Sequence, residues 1–228
     1  DNGSSWDNVT STTSNNLVGV TFGNNTFVAV GWEGIGGIVR STDNGSSWDN
    51  ATSPTANNLY RVGFGNNTFV AVGDDGTIMR TTDNGATWNN VTSPTANYIK
   101  GVTFGNNTFV GVGASGNIVR STDNGSSWDN ATSPTGNNIN AVGFGNNTFV
   151  AVGVSGTIVR STDNGTTWDN ATSPTDEDFW GVTLGNNTFV AVGTNGTIVR
   201  STDNGSSFYN ATSQLANYLR GVGFGNNS

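Results

Sequence analysis

Gly101 to Thr135 reads GVTFGNNTFVGVGASGNIVRSTDNGSSWDNATSPT, and its punctuation decides the fold. Gly101-Val102-Thr103-Phe104 alternates and stops at Gly105-Asn106-Asn107. Thr108 to Gly113 is a second run, stopped by Ala114-Ser115-Gly116. Asn117 to Thr122 is a third, followed by the turn Asp123-Asn124-Gly125. Trp128 to Thr132 is a fourth and more polar run, closed by Ser133-Pro134. β-Branched and aromatic residues suit strands, and Asn-Gly, Gly and Pro between such runs signal consecutive antiparallel hairpins. The segment therefore predicts four strands, A to D, with the polar D strand at a solvent edge.

This module repeats along the whole chain. Asp-Asn-Gly begins at Asp1, Asp43, Asp83, Asp123, Asp163 and Asp203, with spacings of 42, 40, 40, 40 and 40 residues. The first interval is longer because the loop from Trp32 to Gly37 carries two extra residues. Four strands per period make a propeller blade, whereas a β-helix needs a shorter period and a helical solenoid a helical pattern. The expected fold is all-β: a β-propeller of four-stranded antiparallel blades, five complete blades plus two strands of a sixth, in one domain over residues 1–228. A leading D strand near Trp6 to Thr10 and a trailing A strand near Leu219 to Phe224 would share that sixth blade, which lacks B and C. Such a gap predicts strand addition from neighbouring copies, giving an oligomer or filament, or a longer repeat array. The bland alternative is a closed five-bladed ring with an appended edge segment.

Composition narrows the chemistry. Net charge is −8, and no basic stripe exists to displace counterions from nucleic acid. No apolar run approaches the roughly 20 residues of a membrane span, so no membrane insertion is expected. The chain has neither Cys nor His, which removes disulfides, thiolate or imidazole metal sites and a Ser-His-Asp triad. No metal or cofactor is expected. The opening Asp1-Asn2-Gly3-Ser4 does not read as a signal peptide.

The segments Ser41 to Trp48, Ser121 to Trp128 and Ser161 to Trp168 resemble the Asp-box, or BNR, repeat, Ser/Thr-x-Asp-x-Gly-x-x-Trp/Phe. Thr81 to Trp88 and Ser201 to Phe208 match as well, and Asp1 to Trp6 matches without its first two residues. The resemblance implies that each box is the C–D hairpin, its Asp capping turn amides and its aromatic packing beneath, which is turn chemistry rather than catalysis. An EF-hand-like calcium loop is discounted, since the further ligands and closing Glu are missing. The family includes sialidases, other glycosidases, photosystem assembly factors and sorting receptors, so the fold does not settle function. Arg40, Arg80, Arg120, Arg160 and Arg200 share one position on strand C and read as blade-packing or surface elements rather than a sialidase arginine triad. Only Arg61, Lys100 and Arg220 break that repeat.

Residues that differ between modules gather in the B–C turns and D–A segments, expected on one face of the ring. Trp32 and Glu33 are in the first B–C turn, and Val18, Tyr60, Lys100, Asn140, Trp180 and Arg220 share one position at the end of the D–A segments. Exposed aromatics beside polar groups are what binding surfaces use, although loop drift produces similar variation. The candidate binding residues are Trp32, Glu33, Tyr60, Lys100, Asn140, Trp180 and Arg220. Trp32 and Trp180 are expected to be largely exposed, and Trp48, Trp88, Trp128 and Trp168 largely buried. Sequons such as Asn50-Ala51-Thr52, Asn106-Asn107-Thr108 and Asn186-Asn187-Thr188 would accept N-linked glycans outside the cell. The expected function is a non-catalytic extracellular or cell-surface protein that recognises a glycan or protein, or that self-assembles. The alternative is a glycoside hydrolase using an acidic pair from Glu33, Asp74, Asp75, Asp176, Glu177 and Asp178.

Overall fold

A computed structural model describes residues 8–10, 12–32, 37–214 and 216–225. Its twenty strands form five antiparallel sheets, each of four strands in chain order. Blade 1 comprises β1 (Asn16–Gly23), β2 (Thr26–Trp32), β3 (Ile38–Ser41) and β4 (Asp49–Asn50). Blade 2 comprises β5 (Leu59–Gly65), β6 (Thr68–Gly73), β7 (Ile78–Thr81) and β8 (Asn89–Val91). Blade 3 holds β9 (Ile99–Gly105), β10 (Thr108–Gly113), β11 (Ile118–Ser121) and β12 (Asp129–Ala131). In blade 4 the strands are β13 (Ile139–Gly145), β14 (Thr148–Gly153), β15 (Ile158–Ser161) and β16 (Asp169–Asn170). Blade 5 ends the series with β17 (Phe179–Gly185), β18 (Thr188–Gly193), β19 (Ile198–Ser201) and β20 (Tyr209–Asn210). The expected β-propeller blades are therefore present, and the D strands are shorter than the sequence runs suggested.

Local chemistry closes each hairpin. Asn106 and Asn107 both take positive φ (45° and 57°), the conformation a tight A–B turn requires, and Asn tolerates it better than most side chains. In the box, the Asp123 carboxylate accepts from the Ser126 and Ser127 amides and from the Ser121 and Ser127 hydroxyls. Gly125 N–H donates to Ser121 Oγ, and Trp128 Nε1 donates to Gly125 O. Burial pushes the Asp123 carboxyl up, but these hydrogen bonds outweigh it and hold the group at about 2; Asp83, Asp163 and Asp203 behave alike.

That depression ties stability to pH. Folded values lie below the ordinary 3.8, so this stabilisation is complete above about pH 4 and is lost as pH falls towards 2. Melting temperature measured by circular dichroism should drop steeply across that window, and less steeply in Ser127→Ala, which removes one of the hydroxyl donors. A flat profile between pH 4 and 2 would contradict the box account.

The core lies between blades rather than inside them. Val110, Val112 and Ile118 of blade 3 cluster with Ile139, Phe149, Val159 and Trp168 of blade 4. Equivalent clusters join blades 1 and 2, 2 and 3, and 4 and 5. Each box aromatic thus needs the preceding blade to cover it. Trp88, Trp128 and Trp168 are buried accordingly. Trp48 is only half-buried, contrary to expectation, because no complete blade precedes blade 1 among the described residues. Leu17, Val20 and Phe22 on the same side are exposed for the same reason. Polar ties reinforce the stacking. Arg40, Arg80 and Arg120 each donate to the backbone carbonyl of the following blade's box Asn: Asn84, Asn124 and Asn164. Their reading as blade-packing elements holds.

The two ends differ from expectation. Residues 8–10 and 216–225 include no strand, so the leading D and trailing A strands are not formed as ladders; Trp6 falls outside the described residues. The trailing segment nevertheless lies against blade 5. Leu219 N–H donates to Gly193 O, and a Cβ on Gly185 would meet the Phe224 ring, as one on Gly105 would meet Phe144. At the other end, Thr12 Oγ1 donates to Asn50 Oδ1 on β4.

Candidate functional site

Every inner strand carries a β-bulge at the variable position. Leu59 pairs with Gly73 and Arg61 with Val72, so Tyr60 has no partner in the register. The same skip leaves Lys100, Asn140, Trp180 and Val18 unpaired in β9, β13, β17 and β1. A bulge re-aims the extra side chain, and here all five turn to one place. Val18, Tyr60, Lys100, Asn140 and Trp180 line a cavity of about 570 Å³, joined by Trp32, Arg61, Arg220 and Gly221. Because strands of all five blades contribute, the cavity lies on the propeller axis. A smaller one of about 170 Å³, walled by Val102, Val142, Val182 and Val222, lies beside it and shares Arg61, Trp180 and Arg220.

Six of the seven candidate residues therefore meet at one cavity. Glu33 lies outside the described residues. Trp32 is 40% exposed, as expected. Trp180 is half-buried instead of largely exposed, because its bulge turns it into the cavity, where the Arg220 guanidinium stands 5.7 Å from its ring centroid. Trp32 meets Tyr60 edge-on at 6.1 Å, and Tyr60 lies 6.5 Å from Tyr98. The Tyr60 hydroxyl donates to Asp74 Oδ1; burial, then the Asp74 hydrogen bond and charge, raises its pKa.

The polar members divide into ties and free ends. Arg61 Nη1 donates to Val18 O at 2.7 Å and Tyr60 O at 2.9 Å, fastening blade 2 to the bulge of blade 1. Asn140, 5% exposed, donates through Nδ2 to Phe179 O at 2.9 Å and accepts from Lys100 Nζ at 3.2 Å. Burial lowers the pKa of both Lys100 and Arg61. Lys100 and Arg220 keep donors directed at the cavity. All three cations that break the repeat line it, and no carboxylate does among the described residues. Arg61 was absent from the candidate set, yet its departure from the strand C arginine position was a usable signal.

Three acids of the B–C turns and D–A segments are engaged in fastening loops. Asp74 binds Tyr60 and Asn58, Asp178 accepts from the Ser155 amide, and Glu177 accepts from Thr194 and Asn195. These contacts also bring B–C turns onto D–A segments, so the two do share a face. Among the described residues no cluster of His, Cys, Asp and Glu is arranged to hold a metal ion.

Comparison with known proteins adds a family. A family model described as photosynthesis system II assembly factor YCF48, a BNR family, matches residues 71–225. No curated protein matches the chain. Among solved structures, YCF48 bound to a D1 peptide is 20% identical, with a TM-score of 0.71 over 92% of this chain and 72% of that one. YCF48 from Cyanidioschyzon merolae is 16% identical, with a TM-score of 0.69 over 92% and 76%. An ancestral GH74 enzyme is 20% identical, with a TM-score of 0.71 over 89% of this chain and 32% of its own. The chain also spans 66% of a computationally designed protein, Ika8, at 15% identity and a TM-score of 0.74.

The family match overturns the functional expectation. A protein recognising glycans or assembling with copies of itself gives way to a family named for photosystem assembly. Carbohydrate recognition had rested on exposed aromatics, which protein partners use equally well. By its repeats, its blades and the matched residues, the chain belongs to the YCF48 family of photosystem II assembly factors, a family of Asp-box β-propellers.

Proposed function

We propose that the chain acts by binding rather than catalysis, holding an extended, anionic segment of a client polypeptide at the axial cavity. The observation that carries this is electrostatic. A chain of net charge −8 places Arg61, Lys100 and Arg220 around one cavity without a lining carboxylate among the described residues. Like charges brought together at a partly desolvated site disfavour the empty state and favour an anionic occupant. Trp32 and Trp180 add large apolar faces with little conformational freedom to lose, as peptide anchors require. The solved YCF48 with a D1 peptide makes D1 the first client to test.

Fluorescence anisotropy of a labelled D1 peptide provides that test. Saturable binding is expected, weakening as salt screens the charges. Arg220→Ala and Lys100→Ala are each expected to lower affinity about tenfold, the effect of about 1.4 kcal/mol. Absence of saturable binding, or affinity unchanged in the double variant, would overturn the proposal.

A further inference from the structure

We propose that Lys100 is a covalent acceptor for small aromatic aldehydes that carry a phosphate or carboxylate group. The inference stands on the cavity itself and does not depend on a peptide binding there.

Four observations converge. Lys100 is the chain's only lysine, so its Nζ is the only side-chain amine. It projects from a bulge into a cavity of about 570 Å³, and pockets of roughly 300–1,000 Å³ are those that enclose small organic ligands. Asn140, Tyr60, Arg61, Trp180 and Arg220 line the cavity with it, no carboxylate does among the described residues, and among those residues its hydrogen bond is to Asn140 Oδ1. Trp180 and Trp32 offer aromatic faces for a ring to stack on, while the guanidinium over Trp180 is placed to receive the anion.

The chemistry needs a neutral amine. Burial, with no lining carboxylate among the described residues, disfavours the ammonium, so the pKa of Lys100 is lowered and the neutral fraction that reacts is enlarged. The Nζ lone pair then attacks the carbonyl carbon, forming the C–N bond as the carbonyl electron pair moves onto oxygen. Proton transfer from nitrogen to that oxygen gives a carbinolamine. Loss of its hydroxyl as water, with the remaining nitrogen proton, leaves the imine. Amine and aldehyde become imine and water, with no oxidant or reductant required. The anion on the aldehyde meets Arg220 and Arg61, and its ring covers the aromatic wall, so binding precedes and orients the attack.

Pyridoxal 5′-phosphate carries all three features and is the probe. The folded chain is incubated with it at neutral pH, reduced with borohydride to fix the imine, digested and read by mass spectrometry. One adduct at Lys100 is expected, forming about tenfold faster than with pyridoxal, which lacks the phosphate, and tenfold corresponds to one modest charge interaction. Arg220→Ala should erase the preference for the phosphate. Lys100→Arg, which keeps the charge and fold, should leave only the amino terminus labelled. Labelling confined to the amino terminus of the unsubstituted chain would overturn the proposal. So would equal rates for the two probes. If D1 peptide binds while Lys100 stays unlabelled, this inference fails and the peptide proposal survives. Labelling of Lys100 without peptide binding sinks the peptide proposal and leaves this one standing.

Discussion

Truncating Trp168 to alanine is expected to destabilise the fold by about 3–5 kcal/mol, the cost of emptying a buried aromatic site. The same change at Trp48 should cost roughly half as much or less, because exposed area contributes little. The two residues hold the same position in their boxes, and each donates its indole N–H to the carbonyl of a box glycine. What differs is the cover. Trp168 is sealed by Val110, Val112 and Ile118 from the preceding blade, while Trp48 has no such blade before it among the described residues and is half-buried. Urea unfolding midpoints of the two variants check this directly. Equal losses would mean that box aromatics stabilise their own hairpins and that stacking between blades contributes little.

Gly113→Ala should destabilise by about 2–3 kcal/mol, at the upper end of ordinary overpacking, and should loosen the site as well. Gly113 stands opposite the bulge that carries Lys100. A Cβ there would come within 1.9 Å of Tyr98 O and 3.0 Å of Ile99 Cα, and both are backbone atoms with no rotamer to escape into. The Ala114 amide donates to that same Tyr98 oxygen, so the strand cannot step aside without losing a hydrogen bond. Gly73, Gly153 and Gly193 face the same carbonyl contact in their blades. Gly136→Ala is the control, since a Cβ there meets nothing within 4 Å. It should be neutral or slightly stabilising, by about 0.5 kcal/mol through the unfolded chain. If both variants melt alike, the bulge is not clamped by its glycine, and the positioning of Lys100 needs another cause.

The repeat made the blades legible. A period of 40 residues, four alternating runs and a turn signal after each left little else for the chain to be, and the B run Thr108 to Gly113 coincides with β10. The A run was read from Gly101, whereas β9 begins at Ile99, because the bulge at Lys100 interrupts the two-residue alternation that reveals a strand. One extra residue in a strand looks, in sequence, like the end of a loop. That blind spot fell on the site. The variable residues were assigned to turns on a face, where exposure was the natural expectation. Val18, Tyr60, Lys100, Asn140 and Trp180 sit on bulges in the innermost strands and point to the axis, which is why Trp180 is half-buried and why Asn140 is almost wholly enclosed.

Function was less legible because the box is shared by proteins of unlike chemistry. The glycan reading rested on the aromatics, and the hydrolase alternative on the acids. The structure separates them: Asp74, Glu177 and Asp178 hold loops together, while the cations turn inward. Charge sign at the axis, invisible until the bulges are placed, favours an anionic client over a neutral sugar.

A double-mutant cycle between Arg220 and the client's carboxylates tests this directly. Affinities would be measured for the unsubstituted chain and Arg220→Glu, each with a D1 peptide and with the same peptide carrying its carboxylates as amides. If Arg220 receives a carboxylate at the axial cavity, each change alone weakens binding, and the loss on reversing Arg220 shrinks sharply once the carboxylates are gone. Losses that simply add would show that Arg220 and the client's charge do not meet, and would contradict the assignment of the axial cavity as the client site.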